Sequence, residues 1–144
     1  MELGRRSAGF FDDVDRSYVV AQLEGRMDAP VELTVTVRRT SPLLMAPPPG
    51  AEEAVRAEQL GRELAALEPR VLLTVTEEGA GDVPVFTVAG RVRFMGAPRV
   101  NLFRALLETL RRASTGDHGL PAGWAAALDG LPRPVHAEVF ATPT

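Results

Sequence analysis

The sequence predicts an α/β protein with a mixed central sheet and flanking helices, on three observations. Residues 31–38 alternate apolar and polar side chains, which is the period of a β-strand. Residues 51–67 have the apolar spacing of a helix and lead into a second β-rich run. Residues 83–95 have the pattern of a hairpin, and a further amphipathic run follows them. Because a helix bridges the first two strands, we expect these strands to be parallel.

The composition is that of an ordinary globular protein. The chain has 144 residues, of which 45% are hydrophobic and 24% charged, enough for one domain, or for one domain and a fragment. No apolar run approaches the roughly 20 residues of a membrane helix, and no signal-peptide pattern opens the chain. We therefore expect a cytoplasmic protein without membrane contact. A net charge of −3 argues against nucleic acid as a partner.

The chain contains no cysteine, which excludes a disulfide framework, a cysteine-based zinc site and a thiol nucleophile. The two histidines, His118 and His136, are too isolated for a metal site, because metal ligands of this kind come in closer clusters. No Ser-His-Asp spacing, phosphate-binding loop or carboxylate pair stands out, and Glu77-Glu78 is most simply a solvated turn. We expect no metal, no cofactor and no catalytic residue in this chain.

The first element is an amphipathic helix within residues 10–27. It begins near Asp12-Asp13, because acidic side chains are favourable at a helix N-terminus. Six residues have helical spacing: Phe11, Val14, Tyr18, Val19, Leu23 and Met27. After Pro30, a strand is predicted from four apolar residues at a period of two: Val31, Leu33, Val35 and Val37.

A loop and a helix connect this strand to the next. Residues 40–50 contain four prolines and one glycine, which exclude regular structure. We interpret the triple proline as a rigid spacer, with a polyproline II recognition segment as the alternative. A helix follows from Ala51 and ends before Pro69, with its apolar face formed by Ala57, Leu60, Leu64 and Leu67. Residues 71–76 are rich in β-forming side chains and predict the second strand.

The hairpin consists of strands at 83–88 and 91–95 with a two-residue turn, Ala89-Gly90. Gly96 ends it, and a helix over 100–112 follows, with an apolar stripe of Phe103, Leu106, Leu107 and Leu110.

The C-terminal segment predicts a short helix and a last strand. The helix stripe consists of Leu120, Trp124, Leu128 and Leu131, and we expect Trp124 to be a buried anchor. Two prolines end the helix, and residues 135–140 have the composition of a strand.

Three stretches resemble the tandem thioredoxin-fold protein disulfide oxidoreductases and the N-terminal domain of the alkyl hydroperoxide reductase flavoprotein subunit. Residues 27–33 are similar to the helix-Pro-Val-strand entry of the first unit of that family. Residues 92–98, with Phe103, resemble its run into the last helix. Residues 128–144 are similar to the linker and opening strand of its second unit. The resemblance implies a thioredoxin-like fold, in which the proline before the third strand, here Pro84, is usually cis.

The resemblance implies three parts of the chain. Residues 1–30 would be a helical lead-in, residues 31–115 a thioredoxin-like unit without Cys-x-x-Cys, and residues 116–144 a linker helix with the opening strand of a second unit. Active units carry Cys-x-x-Cys at a helix N-terminus, where the dipole lowers the thiol pKa. Residues 40–45 occupy that place here, and they contain no thiol. A glutamate commonly precedes the helix phenylalanine in the reductase branch, but Leu102 precedes Phe103 here, so no acid–base role is transferred.

In the related proteins a strand like 135–140, followed by Thr-Pro-Thr, leads directly to the catalytic cysteine pair. Here the sequence ends at Thr144. Three explanations are open: the natural protein ends there, the sequence is a fragment of a longer protein, or a reading frame was cut at a selenocysteine codon or a frameshift.

The resemblance implies a redox-silent unit of a thiol–disulfide oxidoreductase system. Such a unit supports or docks a thioredoxin-type or peroxiredoxin-type protein, or a second unit of the same chain. The alternative is a free-standing peptide-binding module without enzymatic activity, which would hold an extended peptide by main-chain hydrogen bonds. The residues expected to contact a peptide or partner are Thr40, Ser41, Pro42, Val83, Pro84, Thr142, Pro143 and Thr144. Because the last strand is apolar, we also predict a homodimer.

Overall fold

The computed structural model describes residues 11–38, 46, 49–78 and 83–141. Its elements are α1 (Asp13–Leu23), β1 (Val31–Val37), α2 (Ala51–Leu67), β2 (Val71–Glu77), β3 (Val85–Val88), β4 (Val92–Met95), α3 (Val100–Thr115) and α4 (Ala122–Asp129). The four strands form one sheet in the order β2-β1-β3-β4. β1 is parallel to β2, whereas the β1–β3 and β3–β4 pairs are antiparallel. The predicted α/β fold with a mixed sheet and flanking helices is confirmed, and its arrangement is consistent with a thioredoxin-like fold.

β1 lies at the centre of the sheet, and the predicted alternation decides which of its faces is buried. Val31, Leu33, Val35 and Val37 are all buried, whereas Glu32 between them is exposed. The registers Leu33↔Val88 and Val35↔Phe86 place buried residues of β3 beside them on the same face. A shift of one residue would move this whole apolar row to the other face, so the register is strongly specified.

The helices α1, α2 and α3 contribute to one hydrophobic core on that face. Their buried residues are Val19, Leu23, Ala57, Leu60, Leu64, Leu106, Leu107 and Leu110. Helix α2 approaches the sheet closely at Gly61, where an added Cβ would lie 3.0 Å from a methyl of Val35 and 3.0 Å from a methyl of Leu73. Glycine at this position therefore sets how closely α2 packs on β1 and β2.

The opposite face of the sheet is more polar and more exposed. It carries the threonines between the buried residues of β1, and Thr36 Oγ1 lies 2.9 Å from Thr76 Oγ1, within hydrogen-bond distance. Leu72 and Met95 are exposed on the same face. Such a face is typical of a sheet that packs on one side only.

Helix α3 is joined to the start of β1 by one buried hydroxyl. Ser114 Oγ donates to the Ala29 carbonyl at 2.6 Å and accepts from the Ala29 N–H at 2.9 Å. Ala29 lies two residues before β1. These hydrogen bonds therefore connect the last turn of α3 with the strand at the centre of the sheet.

The hairpin turn contains one residue more than predicted. Ala89 has φ 49° and Gly90 has φ 66°, and the Arg91 N–H donates to the Val88 carbonyl at 3.0 Å. Val88 pairs with Val92, so Arg91 belongs to the connection and not to β4. Positive φ at both central residues gives the twist that suits two antiparallel strands.

The C-terminal segment differs from the prediction in two respects. Helix α4 is present, but the residues of its predicted apolar stripe are exposed, and Trp124 is 67% exposed. The prediction of a buried Trp124 was wrong. The strand predicted at 135–140 is also absent, because residues 132–141 pair with no strand. Backbone in an extended conformation becomes a strand only beside a partner.

α1 is shorter than residues 10–27, and Val14, expected on its apolar face, is 77% exposed. Asp12 caps the helix by accepting the Asp15 N–H at 2.8 Å.

We expect Ser114→Ala to lower the free energy of unfolding by about 1–2 kcal/mol, because the partly buried Ala29 N–H and carbonyl lose their partner. Ser17→Ala is the matched control, since Ser17 Oγ donates to the Asp13 carbonyl on the exposed side of α1. Urea unfolding measures both. Equal losses in the two variants would contradict a structural role for Ser114.

We expect Ala89→Gly to raise the free energy of unfolding by about 0.5–1 kcal/mol, because alanine is disfavoured at positive φ and glycine is not. The same substitution at the exposed Ala66 in α2 should lower it by about 0.5–1 kcal/mol, through the cost of glycine in a helix. Opposite signs in thermal unfolding are the expected result, and a loss of stability in both variants would contradict the turn geometry.

Candidate functional site

A shallow pocket lies at the carboxyl end of β1, where α2 begins. It is lined by Arg38, Pro49, Gly50, Ala51, Ala54, Val83 and Pro84. The sheet brings these residues together because Thr36 pairs with Val85, which places the segment before β3 next to the end of β1. The crossover to β2 begins at the same point, so the start of α2 forms the third side of the pocket.

The start of α2 supplies backbone donors to this region. Gly50 is the N-cap with φ 85°, and no side chain caps the helix there. The first N–H groups of a helix have no partner within it, and they carry partial positive charge. Arg38 adds a cation to the lining, while Glu52 and Glu53 place negative charge in the first turn of α2.

Glu53 connects α2 to the loop between β4 and α3. Its Oε1 accepts the Ala97 N–H at 3.2 Å, and the adjacent Gly96 N–H donates to the Pro84 carbonyl at 2.7 Å. Gly96 has φ 87°, a conformation that glycine adopts without strain. Two hydrogen bonds therefore link the helix start, the loop after β4 and the proline before β3.

The peptide bond between Val83 and Pro84 is trans, since the described residues contain no cis peptide bond. The expectation of a cis Pro84 was wrong. The trans isomer is the ordinary preference of an X-Pro bond, and here it places the Pro84 carbonyl on the Gly96 N–H.

Of the predicted contact residues, the structure places Val83 and Pro84 in the pocket. Thr40, Ser41 and Pro42 lie outside the described residues, as do Thr142, Pro143 and Thr144. Contact of these six residues with a peptide or partner stays a prediction.

Sequence reasoning missed most of the lining and Glu53. Arg38 had a usable signal, because the residue after a strand that enters a crossover lies at the carboxyl end of the sheet. Glu53 had none, because its partner Ala97 is 44 residues away in sequence.

The described lining of the pocket is largely apolar. Apart from Arg38, the lining residues are glycine, alanine, valine and proline, so none of them can act as a nucleophile or a general acid–base. No group of three or more metal-ligating side chains occurs among the described residues. In the same part of the chain, no helix combines the length and apolarity needed to cross a bilayer.

A second charged cluster lies on α3 and has a local role. Glu108 accepts hydrogen bonds from Arg111 and Arg112, which lower the pKa of Glu108 to about 2. The same bond from Arg111 raises the pKa of that guanidinium. These i, i+3 and i, i+4 pairs are exposed to solvent, so they support the helix modestly.

We expect Glu53→Ala to lower the free energy of unfolding by about 1 kcal/mol more than Glu52→Ala. Both carboxylates lie in the first turn of α2 and interact similarly with the helix dipole, but only Glu53 accepts the Ala97 N–H. Urea unfolding gives the difference, and hydrogen exchange of the Ala97 amide should quicken in Glu53→Ala alone. Unchanged exchange would contradict the link between α2 and the loop.

No protein-family model matches the chain, and no curated protein matches it.

Proposed function

We propose that this chain is a redox-silent thioredoxin-fold unit of a cytoplasmic thiol–disulfide oxidoreductase system. It supports or docks a catalytic unit of thioredoxin or peroxiredoxin type, in another protein or as a second unit of the same chain. The observation that carries the proposal is the pocket at the start of α2. The resemblance implies that active units hold their cysteine pair at a helix N-terminus after the first strand; the described lining of this pocket, at the start of α2, contains no thiol.

The chain cannot perform disulfide exchange because it contains no cysteine. Disulfide exchange requires a thiolate, because the attacking sulfur must form a mixed disulfide before the second bond forms. The whole chain has no cysteine, so it cannot take part in that exchange. The helix N-terminus that would activate a thiolate is still present, but its donors have no thiolate to stabilise.

A docking role is supported by apolar side chains around the pocket. Val83 lines it, Met95 pairs with Val85 next to it, and Val100 begins the helix after the Glu53-linked loop. All three are large hydrophobic residues that remain exposed. We call Val83, Met95 and Val100 the docking surface. Exposed apolar surface beside a shallow pocket suits contact with another protein.

A peptide-binding module is the alternative, and one observation favours it. Residues Val83 and Pro84 lead into β3 beside the donors of α2, which is a place where an extended peptide could add main-chain hydrogen bonds. This function would need no catalytic partner.

We test the proposal with a thioredoxin that carries Cys-x-x-Cys and, separately, with a peroxiredoxin in its disulfide form. Titration calorimetry should detect binding to at least one of them. Val83→Asp should weaken that binding by about tenfold or more, because a charge would be desolvated in the contact. Val14→Asp is the control, since Val14 is also an exposed valine but lies on α1.

Binding to neither protein would overturn the docking proposal. Binding of extended peptides alone, with the same sensitivity to Val83→Asp, would establish the alternative. Equal affinity of the Val83→Asp and Val14→Asp variants would show that the docking surface takes part in neither docking nor peptide binding.

A further inference from the structure

Residues 132–141 form a segment with strand chemistry and no strand partner. Val135, Val139 and Phe140 are 72%, 89% and 91% exposed. His136 Nε2 lies 3.3 Å from Glu138 Oε1, a contact within the segment. Pro132 and Pro134 lie at the start of this segment, so continuous backbone donors begin at Val135. Six residues, 135–140, are therefore equipped to join a sheet.

The sheet has two edges, and β2 is the more open of them. It is seven residues long, contains no proline and carries a charge only at its last residue, Glu77. The other edge, β4, is four residues long and contains Arg93. Short length and inward or central charges protect a sheet edge, whereas a long uncharged edge accepts another strand.

We propose that residues 135–140 of one copy add antiparallel to β2 of a second copy, reciprocally, in a twofold dimer. The register pairs Val135 with Val75, Ala137 with Leu73 and Val139 with Val71. The occupant of the β2 edge is thus the C-terminal segment of an identical chain.

The apolar alternation selects this register. Val71, Leu73 and Val75 face the helices, and Leu73 and Val75 are only partly buried within one chain. Val135, Ala137 and Val139 have the same period of two, so all three extend the core face while His136 meets Thr74 on the polar face. A shift by one residue would expose the valines instead.

Charge selects the orientation. In the antiparallel arrangement Arg133 lies opposite Glu77, and Phe140 lies opposite Arg70. A parallel strand with the same valines on the core face would pair Val135 with Val71, which places Arg133 opposite Pro69 and Ala141 opposite Glu77. Opposite charges across a strand pair are favourable, and only the antiparallel arrangement provides such a pair, so it is preferred.

The path of the chain favours a second copy. Ser114, in the last turn of α3, is bonded to Ala29 beside the start of β1, and the Val31 N–H is bonded to the Arg70 carbonyl at the start of β2. An antiparallel strand enters at the opposite end, beside Glu77. For a chain to pair with its own β2, the segment after α3 would have to run the length of the sheet and then reverse its direction. In a reciprocal exchange, each chain pairs its segment with the β2 of the other chain, and the two contacts are related by one twofold axis.

This inference does not rest on the proposed function, because it uses an edge and a segment away from the pocket. Cross-linking tests it cleanly, since the chain has no native cysteine. A Thr74→Cys protein is mixed with a His136→Cys protein under mild oxidation. We expect a disulfide-linked species of twice the chain mass from this pair, because directly opposed residues meet the distance that a disulfide requires.

Thr74→Cys mixed with Glu138→Cys is the matched control, because Glu138 lies two residues out of register on the same face; we expect at least tenfold less of its mixed disulfide. Equal yields would overturn the register. A double variant, Thr74→Cys with His136→Cys, that cross-links at the mass of one chain would overturn the second copy and assign the segment to its own sheet.

Sedimentation of the cysteine-free chain supplies the second measurement. We expect a concentration-dependent dimer, which Val139→Lys weakens by about tenfold or more because the added strand would carry a charge on its apolar face. Val14→Lys places the same change on exposed α1 and should leave the dimer unchanged. A monomer at every concentration, or equal effects of the two variants, would overturn the proposal.

Discussion

The burial of one face of β1 is the constraint on which the rest of the structure depends. This strand has a neighbour on each side, and its four apolar residues contact the core that the helices complete. Because β1 pairs in parallel with β2 and antiparallel with β3, its register positions both the crossover helix and the hairpin. Gly61 then allows α2 to pack closely on Val35 of this strand and on Leu73 of β2.

The pocket is a consequence of the same arrangement. β1 ends, α2 begins and β3 begins at one place, and the hydrogen bonds of Glu53 and Gly96 hold the following loop there. Fold geometry thus assembles a helix N-terminus, a cation and a proline segment without any reactive side chain in the described lining. Thiol–disulfide exchange requires a thiolate, which no residue of this chain supplies.

The central strands β1 and β3 have a neighbour on each side, whereas β2 is an edge strand. The C-terminal segment has strand-forming residues but pairs with no strand among the described residues. These two features are complementary in length, apolar period and charge. Val139 and Phe140 are almost fully exposed, so burial of their side chains against a partner would be favourable. The chain is therefore organised as a packed α/β body with an apolar segment available for contact outside that body.

The sequence by itself determined the elements whose signals are local. The alternation of Val31, Leu33, Val35 and Val37 predicts β1, the apolar spacing after Ala51 predicts α2, and the hairpin follows from its turn residues. The order of these elements along the chain predicts the α/β class and the parallel pairing of β1 with β2. These predictions succeed because periodicity directly records which side of an element will be buried.

Tertiary structure alone decided the features that depend on distant partners. The Glu53 contact with Ala97 joins residues that no local pattern relates, and so does the hydrogen bond from the Gly96 N–H to the Pro84 carbonyl. Trp124 and residues 135–140 have the composition of a core helix and a strand, yet they remain exposed because no surface of the described chain packs against them. An apolar pattern states that burial would be favourable; only the fold provides, or withholds, the surface on which burial occurs.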